Sequence, residues 1–224
     1  MTYTLAITAR TYSSWSLRGW LMFAKFGLSA EIVEAPMKTP AFTAMLAEFG
    51  PARTVPALRF DDVALWDSLA IAETLAERHP QAGHWPRDPR LRGLARSLVA
   101  EMHSGFTALR GACPMNLRNV NLGFVPSDAV LADLDRLSTL WAAARAASGS
   151  TGPWLFGDYT AADAFFAPVA ARITGYGLPV NDADAAYVAA QMADPAFVAW
   201  RAEGLARDAV IESYELGYET RDWP

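Results

Sequence analysis

The chain changes character once, near residue 80, and that change limits its fold more than any other feature. Before it, strand-like and helix-like segments alternate; after it, apolar residues recur almost entirely at helical spacing. Residues 3–8 alternate like a strand, and residues 15–26 are apolar and helix-compatible up to Gly27. A short strand fits residues 31–34. Residues 40–49 predict a helix stopped by Gly50-Pro51, and residues 57–60 with 63–66 predict a hairpin turning at Asp61-Asp62. Asp67 or Ser68 then caps a helix running to about His79.

The order β-α-β-α-β-β-α gathers its strands into one small sheet and matches the thioredoxin-like fold. Residues 80–89 hold Pro80, Pro86, Pro89 and Gly83 with little periodic pattern, which predicts a linker. The expected organisation is therefore α/β followed by all-α: a thioredoxin-like domain over residues 1–79, a linker over 80–89 and an all-helical domain over 90–224. Within the second half, residues 91–109 carry an apolar stripe at Leu94, Leu98, Met102, Phe106 and Leu109. Ser127 caps a helix continuing through Leu131, Leu134, Leu137 and Trp141 to about Ala147. Thr160 and Asp163 have the spacing of a capping box, and two shorter helices fit residues 182–192 and 195–205.

A chain of 224 residues buries a sizeable core without disulfides. Its net charge of −5 offers no attraction to nucleic acid or an acidic membrane, so neither is an expected partner. The single cysteine, Cys113, and the lack of a signal-like N-terminal pattern fit a reducing cytoplasm. No stretch has the roughly 18 consecutive apolar residues of a membrane span. His79, His84 and His103 are scattered, so no metal site is expected.

Three pieces of the first seventy residues could carry chemistry: Thr11-Tyr12-Ser13-Ser14-Trp15-Ser16-Leu17-Arg18, Thr54-Val55-Pro56-Ala57-Leu58 and Trp66-Asp67-Ser68-Leu69-Ala70-Ile71. Each also has a purely structural reading. Serines before a helix cap it, a proline at a strand start need not donate to the ladder, and Asp67 with Ser68 satisfies free helix N-H groups. A serine at such a position can equally donate its hydroxyl to an anion while the helix N-terminus adds positive potential.

In this order and spacing the three pieces resemble the glutathione site of the glutathione S-transferase family, cytosolic type. The run from Ser13 to Arg18 is most similar to the serine-type, zeta-like members, with Trp15 standing where zeta has cysteine. The resemblance implies glutathione as co-substrate and puts the catalytic hydroxyl at Ser13, with Ser14 the second candidate. It implies that Pro56 is cis, that Val55 pairs its backbone with the cysteinyl part of glutathione, and that Asp67 and Ser68 hold the γ-glutamyl end. Thr54 belongs to the same stretch; Arg53 is the choice for the glycyl carboxylate, ahead of Lys38.

The electrophile would lie between the two halves. Candidates there are Trp15, Met102, His103, Phe106, Arg110, Met115 and Asn116, although apolar residues at helical spacing also serve as core. The implied function is detoxifying conjugation of the glutathione thiolate to a hydrophobic electrophile by a cytoplasmic homodimer. Two alternatives use the same residues: a glutathione-dependent cis-trans isomerase like maleylacetoacetate isomerase, or a non-catalytic binding protein of the same fold.

Overall fold

The computed structural model describes residues 2–224. Its first half is built on four strands: β1 (Tyr3–Ile7), β2 (Glu31–Glu34), β3 (Ala57–Phe60) and β4 (Val63–Trp66). They form one sheet in the order β2-β1-β3-β4. β1 runs parallel to β2, with Leu5 opposite Ile32, and antiparallel to β3, with Leu5 opposite Leu58. A parallel pair needs a crossover, and α1 (Ser14–Ala24) supplies it.

The period-2 alternation of β1 decides which side each helix takes. Tyr3, Leu5 and Ile7 face a large core shared with Leu17 and Leu21 of α1 and with Ile71 and Leu75 of α3 (Ser68–Arg78). Ala6 and Ala57 face the other way. There they meet Leu46 of α2 (Pro40–Ala47) together with Phe49 and Ala52. α1 lies so close to the start of β3 that a Cβ on Gly19 would sit 2.5 Å from the Pro56 Cβ, so only glycine fits. The Val55–Pro56 peptide is cis.

The second half holds α4 (Pro89–Ser104), α5 (Thr107–Ala112), β5 (Asn119–Asn121), α6 (Asp128–Ser148), α7 (Ala161–Tyr176), α8 (Asp182–Met192), α9 (Pro195–Arg207) and β6 (Thr220–Asp222). α7 is apolar on nearly every face and almost wholly buried, as an all-round apolar helix must be. Around it one core runs from the sheet through Phe165 and Phe166 to Trp141 and Trp200. The capping box at its start is present on both arms. Asp88 and Ser127 cap α4 and α6 through their side chains.

Two expectations for this half are corrected. The helix anticipated over residues 91–109 is two helices, broken at Gly105-Phe106. A Cβ at Gly105 would lie 2.8 Å from the Glu101 carbonyl oxygen, and Phe106 takes a left-handed φ of 55°. The half is also largely helical but not wholly so, because β5 and β6 pair as an antiparallel ribbon with Val120 opposite Arg221. Each strand is three residues long, too short for alternation to announce it. Among the described residues, no helix is long and apolar enough to cross a membrane.

Candidate functional site

A cleft of ≈ 560 Å³ opens where the N-terminus of α1, the loop before β3 and the α5 region converge. Ser13 is a constrained polar side chain of its lining. It has extended backbone geometry as the N-cap of α1 and is only 8% exposed. Its Oγ accepts the Ser16 N-H at 3.2 Å and lies 2.9 Å from the Ser16 Oγ. The Ser16 Oγ accepts in turn the Thr8 N-H at 3.1 Å. Ser14 and Trp15, also in the lining, contribute first-turn N-H groups that have no acceptor within the helix. The helix therefore turns a hydroxyl and a partial positive charge toward the same space.

Arg53, Thr54 and Val55 line the cleft beside this terminus, and Arg110 and Met115 line it from the second half. Ser13, Ser14, Trp15, Arg53, Thr54, Val55, Arg110 and Met115 are thus brought together. The remaining expected site residues are not in the lining. Pro56 is buried beneath Gly19. Lys38 is exposed, on a turn with φ 61°. Met102 and Phe106 belong to the buried core, with Met102 fully enclosed. Their helical spacing reports packing, which is the reason they stay out of the cleft.

Asp67 and Ser68 stand at the start of α3, behind the lining. Asp67 has a left-handed φ of 77°; its Oδ1 accepts the Leu69 N-H at 2.8 Å and its Oδ2 lies 3.0 Å from His103 Nε2. His103 meets the Trp15 ring edge-on at 5.2 Å, so the pair reaches the cleft only through Trp15. Ser68 is fully buried with its Oγ unpartnered. Asn116 points elsewhere, donating to Glu215 Oε1 at 2.9 Å.

Several lining residues escaped the sequence reading, among them Tyr12, Phe42, Arg172 and Tyr214. Arg172 left a signal: a lone arginine inside the apolar run of α7. It is buried, donating from Nε to the Cys113 carbonyl at 2.8 Å and from one terminal nitrogen to the Pro168 carbonyl at 3.0 Å. Tyr12 lies inside the first of the three pieces, where its neighbours drew the attention. Its hydroxyl receives Arg118 Nε at 2.9 Å and donates to Glu215 at 3.2 Å, and its ring packs on Tyr214 at 5.0 Å. Tyr214 lies in a C-terminal tail whose path no local pattern reveals.

The electrostatics of the cleft run against those of the whole chain. Arg53, Arg110 and Arg172 line it and no carboxylate does. Beneath them Arg18 is fully buried between the Trp15 and Phe165 rings, with Nε donating to the Phe165 carbonyl at 3.2 Å and one terminal nitrogen unpartnered. Burial first, then the Arg172 and Arg110 charges, brings its pKa down to about 9, with Asp67 opposing. Burial and Arg110 bring Arg172 down to about 10. Burial pushes the Cys113 thiol up to about 12, which leaves it an inert core residue. Among the described residues no group of histidine, cysteine or carboxylate side chains is placed to hold a metal.

A thioredoxin-like sheet with a cis proline at its cleft edge, a serine-capped α1 and an appended, largely helical half define a two-part fold whose first part is thioredoxin-like. The family description "Glutathione S-transferase, N-terminal domain" matches residues 12–78. A glutathione transferase homolog from Burkholderia, solved with bound glutathione, superposes with a TM-score of 0.70 at 27% identity, covering 92% of this chain and 100% of that one. Maleylacetoacetate isomerase from Anaeromyxobacter dehalogenans, solved with glutathione in its active site, superposes at 0.61 with 26% identity, covering 89% and 94%. Maleylacetoacetate isomerase from Mus musculus is 32% identical over 104 residues, 45% of this chain and 47% of that protein. The chain spans about half the length of the curated relatives it matches. Residues 12–78 are thus similar to the glutathione S-transferase N-terminal domain, and the chain as a whole is similar in structure to glutathione transferases.

Proposed function

We propose that this protein is a glutathione transferase, which binds glutathione in the cleft and adds its thiolate to an electrophilic small molecule. One observation carries the reading: the Ser13 hydroxyl and the free N-H groups of α1 meet in a cleft edged by Val55, immediately before cis Pro56. In this reading residues 1–79 hold glutathione and residues 90–224 supply the acceptor end. Val55 pairs with the cysteinyl backbone and Arg53 neutralises the glycyl carboxylate, with Thr54 beside them. The resemblance assigns the γ-glutamyl end to Asp67 and Ser68, which stand at the start of α3 behind the lining.

A free thiol ionises near pH 8.5 to 9, so only a few per cent is thiolate at neutral pH. Lowering that value to about 6.5 requires roughly 3 kcal/mol of preference for the anion. One charge-assisted hydroxyl bond supplies roughly 1.5 to 3 kcal/mol and a helix N-terminus up to about 2 more, so Ser13 and α1 together suffice. The rest of catalysis is positioning. The purified chain is expected to bind glutathione in calorimetry and to turn over at least one member of a broad electrophile panel. Binding without any turnover would favour the non-catalytic alternative, and no binding would remove the reading. A cytoplasmic homodimer accompanies it; sedimentation at the monomer mass at working concentration would contradict the dimer.

The acceptor end favours a second reading, glutathione-dependent isomerisation or addition on an anionic substrate. Arg110 and Arg172 line that end with no carboxylate partner among the described residues, and both retain donors beyond those spent on carbonyls. When thiolate adds to a conjugated carbonyl its charge moves onto the carbonyl oxygen, where a guanidinium stabilises it. The Arg172→Met variant is expected to lose about tenfold in kcat/KM for an unsaturated carboxylate, a charge-assisted contact of about 1.5 kcal/mol, and little for its neutral methyl ester. Equal losses on both substrates would sink the anionic reading.

A further inference from the structure

Ser16 is absent from the cleft lining, fully buried, and engaged to Ser13. Which of the two hydroxyls donates follows from counting groups. Each serine has one O-H to donate and two lone pairs to accept with. The Ser16 oxygen already accepts the Thr8 N-H, and the Ser13 oxygen already accepts the Ser16 N-H. One proton lies between the two oxygens at 2.9 Å, and either hydroxyl can rotate to supply it.

If that proton belonged to Ser13, the Ser16 O-H would need another acceptor, and among the described residues the only oxygen bonded to Ser16 Oγ is that of Ser13. A buried hydroxyl proton would then be stranded, which proteins avoid. If the proton belongs to Ser16, every buried group is satisfied. The Ser13 oxygen then accepts two bonds, and its own proton is turned out into the cleft. The sequence left Ser13 and Ser14 as rival donors, and this accounting separates them. Ser14 has no comparable support: among the described residues the hydrogen bonds at this terminus engage the Ser13 and Ser16 hydroxyls and not that of Ser14.

We infer that Ser16 is a positioning residue: it fixes a directed chain from the Thr8 N-H through the Ser16 O-H to the Ser13 O-H, which points the Ser13 hydroxyl into the cleft to donate a hydrogen bond to an anion there. Donors that point into an oxygen polarise its own O-H, so the chain also makes Ser13 a better donor than an isolated serine. The arrangement is built at folding and costs nothing at the moment of reaction. This rests on the glutathione reading and names a part of the site that the cleft surface does not show.

The test is a cycle of Ser13→Ala, Ser16→Ala and the double variant, with bound-thiol ionisation followed by thiolate ultraviolet absorbance against pH and glutathione binding followed by calorimetry. Ser16→Ala is expected to raise the apparent pKa of bound glutathione by about 0.4 to 1 unit, one ordinary hydrogen bond, and to act on kcat more than on KM. In the Ser13→Ala background the same substitution is expected to add nothing. Ser16→Cys keeps a small, weakly donating group and covers the case in which alanine does not fold; it is expected to raise the value by an intermediate amount. An unchanged value in the Ser16 variants, or equal shifts with and without Ser13, overturns the positioning role while leaving glutathione binding intact. Failure of the wild-type chain to bind glutathione overturns both this inference and the reading beneath it.

Discussion

Replacing Asp163 with alanine is expected to destabilise the fold by about 3 kcal/mol or more at neutral pH. Its Oδ2 accepts the Thr160 N-H at 2.9 Å and the Thr160 hydroxyl at 3.1 Å. Its Oδ1 accepts the Leu155 N-H at 3.2 Å and the Tyr187 hydroxyl at 3.0 Å. Alanine strands these donors in a fully enclosed place, and each unsatisfied buried group costs about 1 to 3 kcal/mol. The loss also releases the start of α7, the helix that carries Phe165 to Arg18 and Arg172 to the cleft.

The same residue makes stability depend on pH in an unusual direction. Burial raises the Asp163 pKa from 3.8 to about 6, against the pull of its four donors. The folded state therefore holds this proton more firmly than the unfolded chain does. The contribution is fully present below about pH 4 and is lost as pH rises through about 6, by about 3 kcal/mol. Urea unfolding of wild type and Asp163→Ala at pH 4 and pH 7 checks both points. The gap between the two proteins should be wider at pH 4, and a gap below about 1 kcal/mol at both would refute the account.

The second large effect is on turnover. Ser13→Ala is expected to lower the conjugation rate tenfold or more, about 1.4 kcal/mol of lost thiolate stabilisation, and to move the rate's basic rise with pH upward by about one unit. Ser14→Ala is expected to change the rate by less than about threefold, because among the described residues its hydroxyl has no partner that aims it. Stability separates a folding artefact from a chemical one. Loss of the cap costs about 1 kcal/mol and should appear as a small drop in Tm, too small to empty the folded state. Full rate in Ser13→Ala would end the serine mechanism.

Much of the first half was legible because its signals are local. The strand alternation of residues 3–8 sorts Leu5 and Ile7 from Ala6, and the structure keeps that sorting as two separate cores. Ser13 caps α1, Asp67 caps α3, and Thr160 with Asp163 closes the capping box, each through bonds spanning three residues or fewer. Helical spacing misled where it was asked for function. Met102 shares its stripe with Leu98 because both face the core, so the same periodicity cannot mark a ligand contact. Continuous periodicity likewise hid the break at Gly105-Phe106, which a backbone conformation decides and an apolar stripe does not.

By itself the sequence determined the alternating first half, the change to helices after residue 80, the capped helix starts and the serine-bearing α1 terminus, since each depends on neighbours a few residues away. Tertiary structure alone decided the rest. It brought Arg172 and Tyr214, separated by 40 residues or more from every other lining residue of the second half's α5 region, to the mouth of the same cleft. It paired β5 with β6 across a hundred residues. It also buried Ser16 beside Ser13, so that the direction of one shared proton, invisible in a run of similar hydroxyls, became a matter of which oxygen had somewhere else to donate.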